Sequence, residues 1–235
     1  MKEPDKRLRA AAELVRQGAV FADIGTDHAL LPVFLCKTGR IVRAVAADIN
    51  KGPLAAAQRQ VEEADLADRI RLHLADGLSG LEHEGLTDIA ICGMGGELIV
   101  SILSRASFVK DPRVRLILQP MTHVSDLRHY LADLRHYLAD QGFRIVAERT
   151  ASASGKCYFC FAAEYTGEPY KLTRMEATFG RLSARDFSDE LLLLLKKEIR
   201  AVEKKCCGLR QKGTPDLDEE AYLTSLYDLQ KEHTI

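Results

Sequence analysis

Residues 19–28 read Ala-Val-Phe-Ala-Asp-Ile-Gly-Thr-Asp-His, an apolar run that ends on an acid, a glycine and a second acid. An apolar run of this length, interrupted only by Asp23, predicts a buried parallel strand. Gly25 then opens the turn into a helix that begins near Leu30. Because nucleoside cofactors bind at the carboxyl ends of strands in open α/β sheets, this stretch predicts a cofactor site.

The charge of the turn indicates which cofactor it takes. The motif G-x-G-x-x-G is absent and Gly25 alone remains, whereas a pyrophosphate cradle needs several glycines and no nearby anion. Asp23 and Asp27 flank the turn and would repel a diphosphate. S-adenosylmethionine carries an ammonium and a sulfonium group, so it fits this turn better than NAD does.

His28 stands directly beside Asp27 in the same turn. Two interpretations stay open, an acid–base pair or the capped start of the following helix. No serine or cysteine nucleophile elbow accompanies the two residues, so we do not expect hydrolase chemistry.

Composition bounds the class of protein. With 235 residues and 46% apolar side chains, the chain can form one large domain, or one domain with an appendage. No run of about 18 apolar residues occurs, and segment 1–9 lacks the apolar core of a signal peptide. The six cysteines are then expected to be reduced thiols. We therefore expect a cytoplasmic protein without membrane contact, and we expect it to be a monomer.

Strand and helix patterns alternate as far as about Glu164, which predicts a parallel sheet with helices on both faces. The expected strands are 19–24, 41–48, 70–74, 88–92, 115–118, 143–150 and 157–164. The last two read as a hairpin, so one edge strand should run antiparallel. The predicted fold class is α/β and Rossmann-like, a seven-stranded, mostly parallel sheet of a kind common in methyltransferases.

Beyond residue 165 the pattern changes. Residues 166–169, Thr-Gly-Glu-Pro, break the alternation, and no strand pattern follows. Helical apolar spacing over 189–209 and 217–229, joined by the turn 213–215, predicts an antiparallel helical hairpin. We therefore predict two domains, 1–165 and 166–235.

The two helices of this hairpin differ in charge. Residues 196–212 hold seven basic side chains against two acidic ones, whereas residues 214–235 hold six acidic side chains against one lysine. Two interpretations stay open: the halves pair with each other, or the basic half contacts nucleic-acid phosphates.

An unchanged repeat lies within the helix expected at 124–141. Residues 126–132, Asp-Leu-Arg-His-Tyr-Leu-Ala, recur as residues 133–139. Seven added residues lengthen a helix by about 10 Å and rotate its face by only about 20°. We therefore expect one continuous helix that keeps its apolar stripe through both copies.

Further candidate residues follow the other strands. Asp48 ends the second strand, where an acid accepts hydrogen bonds from ribose hydroxyls; the alternative is a helix cap. Asp76 and Gly77 would meet an adenine edge, although Asp-Gly is also a common turn. The glycines of Gly93-Met-Gly-Gly96 permit close approach of a ligand to the backbone. Gln119-Pro120, at the end of the fifth strand, can line a pocket.

Four motifs in this order carry a family resemblance: residues 22–32, Ala-Asp-Ile-Gly-Thr-Asp-His-Ala-Leu-Leu-Pro, then Gly93–Gly96, then Leu116–Pro120, then Gly155–Tyr158. Together they resemble the bacterial tRNA (adenine(22)-N1)-methyltransferase family, from about Lys6 to Glu164 and weakly into the helical tail. The resemblance implies a class I methyltransferase domain followed by a helical, coiled-coil-like domain. It also implies S-adenosyl-L-methionine as cofactor with S-adenosyl-L-homocysteine as product, no metal, and methylation of adenine N1 in tRNA.

Carried over residue by residue, the resemblance implies roles for individual side chains. It places Asp27 at the methyl group and target base, as the catalytic residue. It implies cofactor contacts at Asp23, Gly25, Thr26, His28, Asp48, Ile49, Asp76, Gly77, Gly93, Met94, Gly95 and Gly96. We expect tRNA contacts from Lys6, Arg7 and Arg9 of the first helix and from Gln119 and Pro120.

The chain departs from its relatives at Thr26 and Leu30, where related chains often carry serine and tyrosine. Two alternatives to a tRNA methyltransferase stay open: a small-molecule methyltransferase of the same fold, and a non-catalytic RNA-binding module. The first would ignore RNA, and the second would bind S-adenosylmethionine weakly or not at all.

Overall fold

The computed structural model describes residues 4–121, 127–153, 156–180 and 188–233, without the side chains of 127–130, 153, 156 and 157. The chain divides into two compact units, residues 1–180 and 181–235. The domain boundary predicted after residue 165 stays a prediction, because a domain is a part of the chain that can fold on its own. No helix in the described ranges is long and apolar enough to cross a membrane.

The first unit is built on a seven-stranded sheet. Its strands are β1 (Ala19–Ile24), β2 (Ile41–Asp48), β3 (Ile70–Leu74), β4 (Asp88–Met94), β5 (Arg115–Pro120), β6 (Phe143–Ala153) and β7 (Lys156–Tyr165). They lie in the order β3-β2-β1-β4-β5-β7-β6. Strands β1 to β5 are parallel, and β7 runs antiparallel to both β5 and β6. The predicted fold class is confirmed. The antiparallel strand β7 lies next to the edge strand, and the edge strand itself is β6.

The strand order reverses between β1 and β4, because the chain passes outward through β2 and β3 before it returns to β4. Ligands of open α/β sheets bind in the crevice that such a reversal leaves at the carboxyl ends of the strands. Strand β1 is buried over its whole length except at half-buried Val20, as its apolar sequence predicts.

Helices and one 3-10 turn cover the sheet. The helices of the first unit are α1 (Lys6–Leu14), α2 (Leu30–Lys37), α3 (Lys51–Glu63), α4 (Gly96–Ser104), α5 (Leu127–Asp140) and α6 (Arg174–Phe179), with a 3-10 turn at Ser107–Lys110. Helix α6 was not predicted. Its capping box, in which Thr173 and Glu176 bond each other's backbone N–H groups, was readable as T-x-x-E.

Four strands are longer than predicted: β6 ends at Ala153 and not at Thr150, β7 gains one residue at each end, and β4 and β5 also extend. We expected β4 to end at Cys92 and β5 at Leu118, with the glycine turn and Gln119-Pro120 beyond them. The ladder continues to the pair Met94–Pro120, with a register irregularity between Cys92 and Met94. Because of this irregularity, Gly93 lies between two paired residues without a partner of its own, and β4 stays paired with β5 beyond Cys92.

Helix α5 runs through the junction of the two heptad copies. Leu131 of the first copy and Leu134 and Leu138 of the second are all buried. Their spacing forms one apolar stripe across the junction, as predicted from the small rotation that seven residues cause. The predicted start at Val124 lies outside the described residues.

The second unit contains α7 (Asp189–Gln211) and α8 (Leu217–His233). The ammonium group of Lys205 contacts the carboxylate of Glu219, and Arg210 Nε lies 2.7 Å from Glu220 Oε1. Because late residues of α7 meet early residues of α8, the helices are antiparallel, as predicted. These ion pairs support the interpretation that the basic and acidic halves pair with each other.

Candidate active site

A cavity of about 190 Å³ opens at the carboxyl ends of β1 and β4, where the strand order reverses. Its walls come from three regions of the sequence: the first turns of α1, the β1–α2 turn, and the end of β4. The lining residues are Arg7, Leu8, Asp23, Gly25, Asp27, Leu31, Cys92 and Gly93. Four of them, Asp23, Gly25, Asp27 and Gly93, are residues that the sequence singled out for the cofactor or for catalysis.

Asp23 is the buried carboxyl group of this cavity, with a side chain only 6% exposed. The hydroxyl of Thr26 donates a hydrogen bond of 2.6 Å to Asp23 Oδ2. Burial raises the pKa of Asp23 to about 6; the Thr26 hydrogen bond opposes this rise, and the charges of Asp27 and Asp48 add to it. A carboxylate held in this way gains most from a cationic ligand, because the ligand restores the stabilisation that burial removed.

Asp27 lies at the mouth of the cavity, with a side chain that is 71% exposed. Its Oδ1 is 3.4 Å from Nε2 of His28, which is also largely exposed. The turn that presents Asp27 is strained, because the non-glycine residues His28 and Ala29 adopt φ values of 56° and 51°. Strain of this kind, about 1–2 kcal/mol per residue, concentrates at functional sites.

Two glycines bring backbone and side chains into close contact at the cavity floor. A Cβ atom on Gly25, at φ 73°, would lie 2.1 Å from Cε of Met94. A Cβ on Gly93, at φ 81°, would lie 3.0 Å from Nη1 of Arg7. Both positions favour glycine for their backbone conformation, and a Cβ there would also displace the end of the Met94 or Arg7 side chain.

Arg7 lies in the cavity wall, with a side chain 18% exposed. Its Nη1 donates to Oε1 of Gln119 over 3.1 Å and lies 3.0 Å from Sδ of Met121. Gln119 is fully buried and donates through Nε2 to the carbonyl of Pro120. Gln119 therefore positions Arg7, a relationship that sequence reasoning missed because 112 positions separate the two residues.

The neighbouring strand ends carry the other predicted cofactor residues. Asp48 is half-buried, and its Oδ1 accepts a hydrogen bond of 2.7 Å from the backbone N–H of Asn50. Its charge also acts on Asp23. Ile49 is 61% exposed, so it offers an apolar surface beside Asp48.

Asp76 and Gly77 lie outside the 190 Å³ cavity. Asp76 lines a smaller cavity of about 80 Å³ with Arg105, which donates to both carboxylate oxygens over 2.6 and 3.1 Å. Its hydrogen bonds with Arg105 lower the pKa of Asp76. Gly77, at φ 61°, packs against Ile102. The structure thus gathers Asp23, Gly25, Asp27 and Gly93 and leaves Asp76 bound to Arg105.

Cys92 also lines the cavity, and the sequence had assigned it no role there. Burial raises the pKa of its thiol well above the ordinary value. The thiol is therefore protonated at neutral pH, and a nucleophilic role for Cys92 is disfavoured.

Comparisons with known proteins show which family the chain is similar to. A family profile described as a methyltransferase domain matches residues 5–161. The tRNA (adenine(22)-N(1))-methyltransferase of Bacillus subtilis is 38% identical over 159 residues, which are 68% of this chain and 64% of that protein.

Solved structures extend the similarity to nearly the whole chain. Streptococcus pneumoniae Sp1610, described as a candidate tRNA (m1A22) methyltransferase and solved with S-adenosyl-L-methionine, is 32% identical with a TM-score of 0.78. That match covers 94% of this chain and 98% of the other. The B. subtilis m1A22 tRNA methyltransferase TrmK is 28% identical with a TM-score of 0.72, over 98% and 97% of the two chains.

Proposed function

The chain belongs to the tRNA (adenine(22)-N1)-methyltransferase family, and from that premise we propose that it transfers the methyl group of S-adenosylmethionine to N1 of adenine 22 in tRNA. The observation that carries the proposal is the cavity that joins buried Asp23, mouth residue Asp27 and the guanidinium of Arg7. Family membership supports the reaction, and the cavity supplies residues suited to it.

The cavity residues fit the amino-acid end of the cofactor. Its ammonium group suits the buried carboxylate of Asp23, and its carboxylate suits the guanidinium of Arg7 on the facing wall. We therefore assign Arg7 to the cofactor and not to an RNA phosphate. Gly25 and Gly93 line the cavity together with these two charged residues.

The nucleoside end is assigned to the neighbouring strand ends. Asp48 suits the ribose hydroxyls and Ile49 the face of the adenine. Asp76 is about half exposed and has acceptor sites left beside its pair with Arg105, so it suits the amino edge of the adenine. The bound cofactor supplies an electrophilic methyl group on a positively charged sulfur.

The chemistry needs few catalytic groups. Adenine N1 has an in-plane lone pair that forms the new bond to the methyl carbon as the carbon–sulfur bond breaks, so in-line positioning supplies much of the rate. Positive charge moves from sulfur to the adenine ring and its N6 amino group. Asp27, exposed at the cavity mouth, accepts a hydrogen bond from N6 and stabilises this charge.

Methyl transfer from labelled S-adenosylmethionine to unmodified tRNA transcripts, followed by nucleoside digestion, tests the proposal. We expect label in 1-methyladenosine, and loss of label when adenine 22 of the transcript is replaced. Label that persists in that transcript would move the target to another position. Cofactor binding without label in RNA would favour a small-molecule methyltransferase.

We further propose that the protein acts as a monomer in the cytoplasm, where its tRNA substrate resides. Light scattering of the purified protein, alone and with tRNA, tests the first part. One protein chain per tRNA supports it, and a stable dimer in both samples would contradict it.

A further inference from the structure

A second concave surface of about 430 Å³ lies between α1 and α2, outside the candidate active site. We name it the α1–α2 groove. The lining residues that matter here are Arg9, Glu13, Gln17, Phe34, Thr38 and Arg40. Except for Phe34, each carries a charge or a hydrogen-bonding side chain.

The groove begins beside the active-site cavity on α1 and extends away from it toward the amino ends of β1 and β2, which Gln17 and Arg40 precede. Arg7 and Leu8 of α1 line the cavity, whereas Arg9 lines the groove. On α2, Leu31 lines the cavity and Thr38 lines the groove. With a rise of about 1.5 Å per residue, the seven residues from Leu31 to Thr38 span about 10 Å. An RNA strand whose base enters the cavity would therefore run about 10 Å along the helices to reach Thr38 in the groove.

The charge of the groove is positive although the whole chain has a net charge of −1. Arg9 and Arg40 are both in its lining. The single acid among the named lining residues, Glu13, lies 3.2 Å from Nε of Arg149. The lining thus holds two guanidinium groups and one carboxylate, and that carboxylate pairs with Arg149 from outside the lining.

The groove also holds its arginines in place. Arg40 Nη2 donates to the carbonyl of Glu13 over 3.3 Å, and Arg9 Nε donates to the carbonyl of Pro4 over 3.1 Å. Gln17 and Thr38 add an amide and a hydroxyl group at its far end. Arginine, amide and hydroxyl side chains are the groups that bind phosphates without reading sequence.

We propose that the α1–α2 groove binds the backbone phosphates of the tRNA strand next to the target adenosine. This inference rests on the proposed function and deepens it by locating the RNA on the first unit. Arg7 serves the cofactor in the cavity, while Arg9 and Arg40 serve the RNA outside it.

The test replaces both groove arginines, as Arg9→Gln with Arg40→Gln, and measures tRNA affinity as a function of salt. We expect the slope of log affinity against log salt to shrink by about 1.5–2, because two phosphate contacts are lost. S-adenosylmethionine affinity and the methylation rate at saturating tRNA should stay within about twofold of wild type. Arg9→Lys with Arg40→Lys keeps the charges and should retain most of the slope.

The matched control is Arg43→Gln with Arg113→Gln, which removes the same charge from exposed positions outside the groove. Its salt slope should equal that of the wild type. An unchanged slope in the groove variant, or an equal decrease in the control, would overturn the inference. Failure of the wild-type protein to methylate any tRNA would overturn the proposed function instead, so the two failures are distinguishable.

Discussion

The hydroxyl of Thr26 donates a hydrogen bond of 2.6 Å to the carboxylate of Asp23, and both side chains are buried at the carboxyl end of β1. This bond stabilises the charged form of a carboxyl group whose pKa burial raises to about 6. The pair therefore controls the pH at which the buried carboxyl group of the cavity loses its proton.

Cofactor affinity should follow the ionisation of Asp23. Because the ammonium group of S-adenosylmethionine prefers the carboxylate, affinity should rise as pH rises through about 6 and level off above it. Thr26→Val removes the bond that lowers the pKa, so its midpoint should move to higher pH, whereas Thr26→Ser should keep the wild-type midpoint. Titration calorimetry between pH 5 and 8 measures this; identical midpoints for all three proteins would contradict it.

Asp23→Asn should stabilise the cofactor-free protein at neutral pH. In the wild-type protein the folded-state pKa of Asp23, about 6, lies above the ordinary value of 3.8. The contribution of protonated Asp23 to stability is therefore complete below pH 3.8 and is lost as pH rises through 6. Above pH 6 the charged carboxylate of Asp23 lowers the free energy of unfolding by at most about 3 kcal/mol. Urea unfolding should give the variant a higher free energy of unfolding at pH 8 and a flatter profile between pH 4 and 6. Asp111→Asn changes a half-buried residue whose pKa is lowered to about 2, so its effect should fall below about pH 4 and leave the profile between pH 4 and 6 nearly unchanged.

Asp27→Asn should slow methyl transfer about 100-fold, because it removes the negative charge that faces the developing cation. Cofactor affinity should change less than about threefold, since Asp27 is mostly exposed at the cavity mouth. Single-turnover kinetics and cofactor titration measure the two effects separately. Exposed Glu63→Gln on α3 is the control and should change neither. Equal losses of rate and affinity would make Asp27 a cofactor ligand.

Gly25→Ala should destabilise the protein more than Gly39→Ala does. Both positions have positive φ, 73° and 68°, so both substitutions cost about 1–2 kcal/mol in backbone strain. Only at Gly25 does the new Cβ meet another atom, Cε of Met94 at 2.1 Å. Combining Gly25→Ala with Met94→Ala should remove the steric part of the loss. Thermal unfolding of the variants measures the difference, and equal losses at the two glycines would refute the contact.

Arg135→Met should destabilise the first unit by about 3–5 kcal/mol, because it breaks a buried charge cluster. The guanidinium is 1% exposed, donates to the carbonyls of Ala177 and Thr178, and lies 3.2 Å from Glu148. Arg149→Met removes an exposed pair with Glu13 and should cost about 1 kcal/mol or less. Chemical denaturation compares the two, and similar losses would show that the buried cluster contributes little.

Parts of the candidate site were predictable from local sequence. Burial of Asp23 followed from the apolar residues around it in β1, and the positive φ of Gly25 from its place in a strand-to-helix turn. The position of Arg7 was not predictable, because the periodicity of α1 does not report which distant strand faces it. The extension of β4 through Gly93 depended on its pairing with β5, which no single strand encodes.

The sequence alone established the α/β class, a mostly parallel sheet and the acidic, glycine-poor turn that suits a cationic cofactor. These features depend on apolar runs and charges that are close together along the chain. The tertiary structure decided that Gln119 holds Arg7 in the cavity, that Met94 packs on Gly25, and that the second heptad copy supplies buried Arg135. Each of these contacts joins residues from different elements, and only the packing of the whole sheet with its helices brings them within reach.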